Sequence, residues 1–193
     1  MTNATLSVRR AALGVRAFAV VLGALFVAAA AQVSVPLPGT PVPMTLQPLA
    51  VLVVGGLLGA RLGAASLILY LAMGAAGLPV FTPTVPLVGI ARLMGPTGGY
   101  LLAYPVAAWA VGRLTPGGPP AGSPPKTGRV ALAVLAGLVL IHLGGLAQLA
   151  ILTGDISAAA RFGTLPFLLG DLAKLAIAVP VIAKLSPAVR ARL

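Results

Sequence analysis

The run VALAVLAGLVLIHLGGLAQLAILT, residues 130–153, carries no Asp, Glu, Lys or Arg, and only His142, Gln148 and the terminal Thr153 break its apolar and glycine content. A helix needs about 20 such residues to cross the hydrocarbon core of a bilayer, so this stretch reads as a spanning helix. Five further apolar segments lie on either side of it, roughly 15–34, 46–60, 62–78, 97–114 and 164–186. The spans 46–60 and 62–78 are short and separated only by Arg61 and its neighbours, which predicts a tight helical hairpin or helices that do not cross straight.

Whole-chain composition agrees. Apolar residues make up 59% and charged residues 8% of 193, with a mean hydropathy of +1.08, whereas soluble domains carry about 25% charge. The expected fold is an all-α membrane protein, one domain over 1–193 built as a compact bundle of six transmembrane helices. Three connections break helical pattern. Residues 32–44 hold Pro36, Pro38, Pro41 and Pro43, residues 78–96 hold Pro79, Pro83 and Pro86, and 115–128 is a Pro/Gly/Ser-rich linker; proline lacks the N–H that a helix interior requires.

Six spans put both termini on one side. That side collects Arg9, Arg10, Arg16, Arg61, Arg113, Lys126, Arg129, Lys184, Arg190 and Arg192, against Arg92 and Arg161 on the other. Basic loops stay in the cytoplasm, so both termini are expected there, in a cell membrane, with 115–128 as an inner linker. The N-terminal run to Ala31 also fits a cleavable signal peptide, which would leave five spans. The net charge of +11 is scattered rather than gathered in a stripe, so nucleic acid is not an expected partner. Cys is absent and acids number two, which excludes thiol chemistry and leaves no expected metal site or cofactor.

An ionisable group inside a bilayer costs about 2.5–3.5 kcal/mol and marks function by default. Asp171 and Lys174, spaced i and i+3, share one helix face; counted from a helix start near Thr164, they lie about 10 and 15 Å deep. Arg92 precedes Gly95-Pro-Thr-Gly-Gly-Tyr100, where free helix N–H groups beside a guanidinium suit a carboxylate. Thr45 and Gln47 stand where the proline-rich loop enters the second span, and Gln offers both a donor and an acceptor. Tyr100 is the aromatic side chain best placed for a ligand; Gln32, His142 and Gln148 read as interhelical hydrogen bonds, Tyr104 and Trp109 as packing.

Taken in order, Pro36-Leu-Pro38, Pro41-Val-Pro43-Met-Thr45-Leu-Gln47, Tyr70-Leu-Ala-Met-Gly74-Ala-Ala-Gly77-Leu-Pro79-Val-Phe81, Gly95-Pro-Thr-Gly-Gly-Tyr100-Leu and Gly170-Asp171-Leu-Ala-Lys174 form a series that resembles the BioY family, the biotin-specific substrate-binding (S) components of energy-coupling factor (ECF) transporters. The resemblance covers about residues 15 to 186. It implies a compact six-helix fold, a lid formed by 32–44 over an outward-facing biotin pocket, and docking on a transmembrane coupling protein that carries two ATP-binding subunits. Ala24 and Ala28 match the docking face. Arg92 or Lys174 would meet the anionic tail and the ureido carbonyl of biotin, Asp171 the ureido N–H groups, with Gln47, Thr45 and Tyr100 completing the polar set and Phe81 and Leu78 as apolar wall. Such a chain is not an enzyme; an S component for another vitamin, or an intramembrane enzyme using Asp171 and Lys174, are the competing readings. On the sequence alone, Asp171→Asn is expected to weaken biotin capture, measured by ligand titration, far more than it weakens folding.

Overall fold

A computed structural model describes residues 3–115 and 125–193, with side chains from Ala12 onward. The side chains of Arg9 and Arg10 and most of the inner linker, residues 116–124, lie outside the described residues. The elements are helices α1 (Asn3–Gln32), α2 (Gln47–Ala75), α3 (Ile90–Met94), α4 (Gly98–Leu114), α5 (Thr127–Thr153), α6 (Ile156–Gly163) and α7 (Leu168–Arg190), with strands β1 (Ser34–Val35) and β2 (Met44–Thr45). Four helical stretches, Ala12–Gln32, Gln47–Ala75, Thr127–Thr153 and Ile156–Arg190, are long and apolar enough to cross a membrane. Large apolar side chains such as Phe18, Phe26, Ile151 and Leu169 are exposed on the outside of the bundle, as a lipid-facing surface requires.

α2 is one helix only in name. Gly59 adopts φ 81° and ψ 175° in its middle, a left-handed-side conformation that favours glycine. A Cβ on Gly63 would sit 2.9 Å from the Cα of Gly55, although eight residues of straight helix span about 12 Å. The chain therefore folds back on itself. Gln47, twelve residues before the bend, donates from Nε2 to the Tyr70 hydroxyl, eleven residues after it, at 2.5 Å, so two antiparallel arms, 47–58 and 60–75, lie side by side. The expected hairpin is present, with its turn at Gly59 rather than at Arg61.

α4 packs into this hairpin. A Cβ on Gly55 would collide with the backbone of Ala108, and one on Gly112 with Gly59 and Ala60, so backbones meet backbones there, as small residues allow in membranes. Arg190 ties the same end together. Its guanidinium donates to the carbonyls of Gly56 (2.7 Å), Thr115 (3.1 Å) and Gly112 (3.4 Å), groups near helix ends that lack intrahelical partners.

At the other end of the bundle, three connections converge. The proline-rich loop is a short hairpin in which Ser34 pairs with Thr45 and Val35 with Met44. Its tip is held across the bundle by Thr40 Oγ1, which donates to the Phe162 carbonyl at 2.6 Å. α3 and α6 are helices the hydropathy pattern does not reveal, being only 5 and 8 residues long. α6 is started by Asp155, whose carboxylate accepts from Ser157 N at 2.7 Å, a side-chain N-cap. Because α6 and a 3-10 turn at Leu165–Phe167 come first, α7 begins at Leu168, and Asp171 lies in its first turn, about 4.5 Å from the helix start.

Ala24 and Ala28 are 0% and 9% exposed within the main core cluster. The small pair faces inward here and lets α1 pack closely on the bundle. Replacing Gly55 with Val drives a branched side chain into the Ala108 backbone and should cost about 1–3 kcal/mol, read as a lowered unfolding temperature in detergent; an unchanged temperature would contradict the close α2–α4 contact.

Candidate ligand-binding site

Beneath the hairpin lies a narrow cavity whose walls come from every converging element. Thr45 and Gln47 enter from the start of α2, Arg92 from α3, Tyr100 and Tyr104 from α4, His142 from α5, and Asp171 and Lys174 from α7. Val42 and Pro43 roof it from the hairpin, while Leu101, Leu138, Ile141 and Phe167 supply apolar wall. In an otherwise apolar protein, the cavity gathers most of the buried polar side chains among the described residues, including the buried charges Arg92, Asp171 and Lys174.

Asp171 is the centre of that polarity. Lys174 Nζ donates to its Oδ1 at 2.8 Å and His142 Nε2 lies 2.6 Å from its Oδ2. Asp171 and Lys174 face the same way because they are one helical turn apart, and His142 reaches them from α5. The position of Asp171 in the first turn of α7 also suits its charge, since helix N-termini stabilise anions.

Arg92 is 1% exposed, yet no carboxylate pairs with it. Nη1 donates to the carbonyls of Val85 (2.6 Å) and Leu87 (3.4 Å) and Nη2 to that of Thr82 (3.0 Å). It pins the loop 82–87, which wraps around it, and keeps its full charge at the cavity wall. Its Nε–H finds no protein acceptor, and His142 Nδ1 and Thr97 Oγ1 have no hydrogen-bond partner among the described residues. A buried polar atom left unpaired costs about 1–3 kcal/mol; three of the six such atoms among the described residues belong to residues that line this cavity.

The rest of the polar set is more constrained. Gln47 carries a Thr45 hydroxyl on its Oε1 at 3.2 Å, besides its Tyr70 bond. Thr45 Oγ1 also accepts from Gln47 N at 3.2 Å, so it holds the helix start as well as lining the cavity. Tyr100 spends its hydroxyl hydrogen on the Gly163 carbonyl at 2.5 Å and packs its ring where a side chain on Gly145 would be. Gly98 and Gly99 serve the α4–α5 contact, Gly99 lying against Gly144.

The structure thus brings Arg92, Asp171, Lys174, Gln47, Thr45 and Tyr100 to one cavity. It does not bring Phe81 there: that ring packs edge-on against Tyr70 at 5.4 Å and fills the space left by Gly74, while Leu78 is exposed. Their expected place as apolar wall is taken by residues of α4, α5 and the 3-10 turn. His142, Tyr104, Thr82 and Thr97 also line the cavity, although sequence reasoning had not placed them in a site. Among the described residues no three His, Cys, Asp or Glu side chains come together.

Fold and cavity define a helical membrane protein with a polar-lined cavity at one end of its bundle. The profile of the BioY family matches residues 2–191, and the chain belongs to that family. It is 39% identical over 168 residues to the probable biotin transporter BioY of Pyrococcus horikoshii, covering 85% of this chain and 93% of that protein. It is 34% identical over 155 residues to the biotin transporter BioY of Thermotoga maritima, covering 80% and 86%. Its fold matches the crystal structure of an S-component for biotin from an ECF-type ABC transporter with a TM-score of 0.74, at 25% identity, over 96% of this chain and 94% of that one.

The pairing of Asp171 changes what its replacement does. Asp171→Asn strands a buried Lys174, and breaking a buried ion pair costs about 3–5 kcal/mol. Folding should therefore suffer with binding, contrary to the reading from sequence alone. The double change Asp171→Leu with Lys174→Met should instead unfold within a few degrees of the unaltered protein in a detergent melt; a melt as low as that of Asp171→Asn would contradict the account.

Proposed function

We propose that this chain is the substrate-binding subunit of an ECF-type biotin transporter: it captures biotin on the outer side of the cell membrane and presents it for ATP-driven uptake. The observation that carries the reading is the cavity itself, lined by both an Asp–Lys–His cluster and a guanidinium without an acid. Biotin carries an anionic valerate tail, a neutral ureido ring and an apolar body. The charge of Asp171 is already matched by Lys174, whereas Arg92 is bonded only to carbonyls. An anion gains most from the uncompensated charge, so the tail goes to Arg92. The ureido ring goes to the paired end, an N–H on Asp171 and the carbonyl near Lys174, with the apolar body against Ile141 and Phe167. Its relatives in Pyrococcus horikoshii and Thermotoga maritima are named as biotin transporters, which supports biotin over another vitamin.

In this reading the chain crosses the membrane six times, two of the crossings being the arms of α2. The ten-to-two distribution of Lys and Arg puts both termini in the cytoplasm and the cavity outside. The hairpin over 33–46 is the lid through which biotin enters. The chain catalyses no covalent step; a coupling protein and ATP-binding subunits supply the energy.

Titration of biotin into the detergent-purified chain should show saturable binding of one biotin per chain, and no saturable heat would overturn the reading. Because the chain has no native Cys, orientation has a direct test. A membrane-impermeant maleimide applied to intact cells should label Arg161→Cys and leave Gly128→Cys unlabelled; the reverse pattern would put the cavity inside.

A further inference from the structure

Asp171 can present its free lone pairs to a ligand only if its carboxylate is held in one plane. Lys174 alone does not hold it, since an ammonium on a flexible four-carbon stem can serve either oxygen. His142 is different. It comes from a separate helix, its ring is rigid, and it occupies Oδ2 at 2.6 Å while Lys174 occupies Oδ1 at 2.8 Å. With a donor on each oxygen, rotation of the carboxylate breaks one bond or the other. A carboxylate only accepts, so the bonded Nε2 carries the hydrogen.

The imidazole is itself braced. The rings of Tyr100 and Phe167 stand 6.3 and 6.5 Å from it, and the Tyr100 hydroxyl is fixed on the Gly163 carbonyl. A line of contacts therefore runs from the end of α6 through Tyr100 and His142 to Asp171. Each carboxylate oxygen retains a lone pair beyond the one used by its fixed donor, and those lone pairs are what an N–H of a cyclic urea requires.

We infer that His142 is a positioning residue, which sets the Asp171 carboxylate through Nε2–H so that it accepts from the ligand. The inference rests on the reading of the cavity as a biotin site. Without the imidazole, the carboxylate turns toward Lys174 and away from the guest. His142→Leu, of similar bulk and no donor, should weaken biotin binding about tenfold, the worth of one hydrogen bond to a charged group. His142→Gln places an amide N–H where Nε2 was and should recover most of that loss, at matched unfolding temperatures. Binding by His142→Leu equal to that of the unaltered protein would overturn the inference, as would a Gln variant no better than Leu. The ring tautomer gives a test that needs no ligand: 15N NMR of the intact protein should find the hydrogen on Nε2, and a hydrogen found only on Nδ1 would overturn the inference. Failure of the unaltered protein to bind biotin counts against the biotin reading, and the tautomer then decides the positioning role by itself.

Discussion

The carboxylate of Asp171, held between Lys174 and His142, is the constraint around which this end of the molecule is arranged. Two opposite charges taken out of water attract each other strongly but lose their hydration, and such a pair is weak evidence for stability. Its retention here makes physical sense as a binding device. Three elements, α5, α7 and the α6 end with its 3-10 turn, meet at that group.

Arg92 makes the complementary arrangement. Buried and bonded only to carbonyls of the loop 82–87, it orders that loop and leaves a positive charge for which the protein offers no counter-ion. The cavity is thus lined by both a neutralised pair and a cation bonded only to carbonyls. A ligand with one anionic end and one neutral hydrogen-bonding end fits in a single direction. Farther down, the Gly59 bend and the glycine-lined contact with α4 bring the arms of α2 together, and this places Gln47 and Tyr70 within a hydrogen bond of each other. The folding of α2 and the shape of the site are therefore one problem, solved by residues without side chains.

Much of this was legible in the sequence, for identifiable reasons. Spanning helices announce themselves by composition, and the prolines of 32–44 exclude helix there whatever surrounds them. Asp171 and Lys174 stood out because charge is rare in such a chain. The short helices α3 and α6 did not, since neither forms a hydrophobic run. The inward packing of Ala24 and Ala28 was not legible either, because small residues serve inward packing as readily as outward docking, and sequence spacing does not say which way a face points. His142 had a signal that could have been used: it is the one ionisable side chain in the apolar run 130–153, as Asp171 is the one acid in α7, and lone groups of opposite hydrogen-bonding character in apolar helices tend to pair. Phe81 was misplaced for the converse reason: a conspicuous aromatic in a loop can simply fill the space a glycine leaves, as it does over Gly74.

The central claim is that the uncompensated charge of Arg92 holds the anionic end of the ligand while the Asp171 cluster holds the neutral ring. Its most direct test is a titration of biotin and of its uncharged tail amide into the unaltered protein and into Arg92→Gln. The account predicts that the unaltered protein favours biotin by at least about tenfold, in line with a charge-assisted hydrogen bond, and that Arg92→Gln binds the two nearly equally. Undiminished preference for biotin in Arg92→Gln would contradict it.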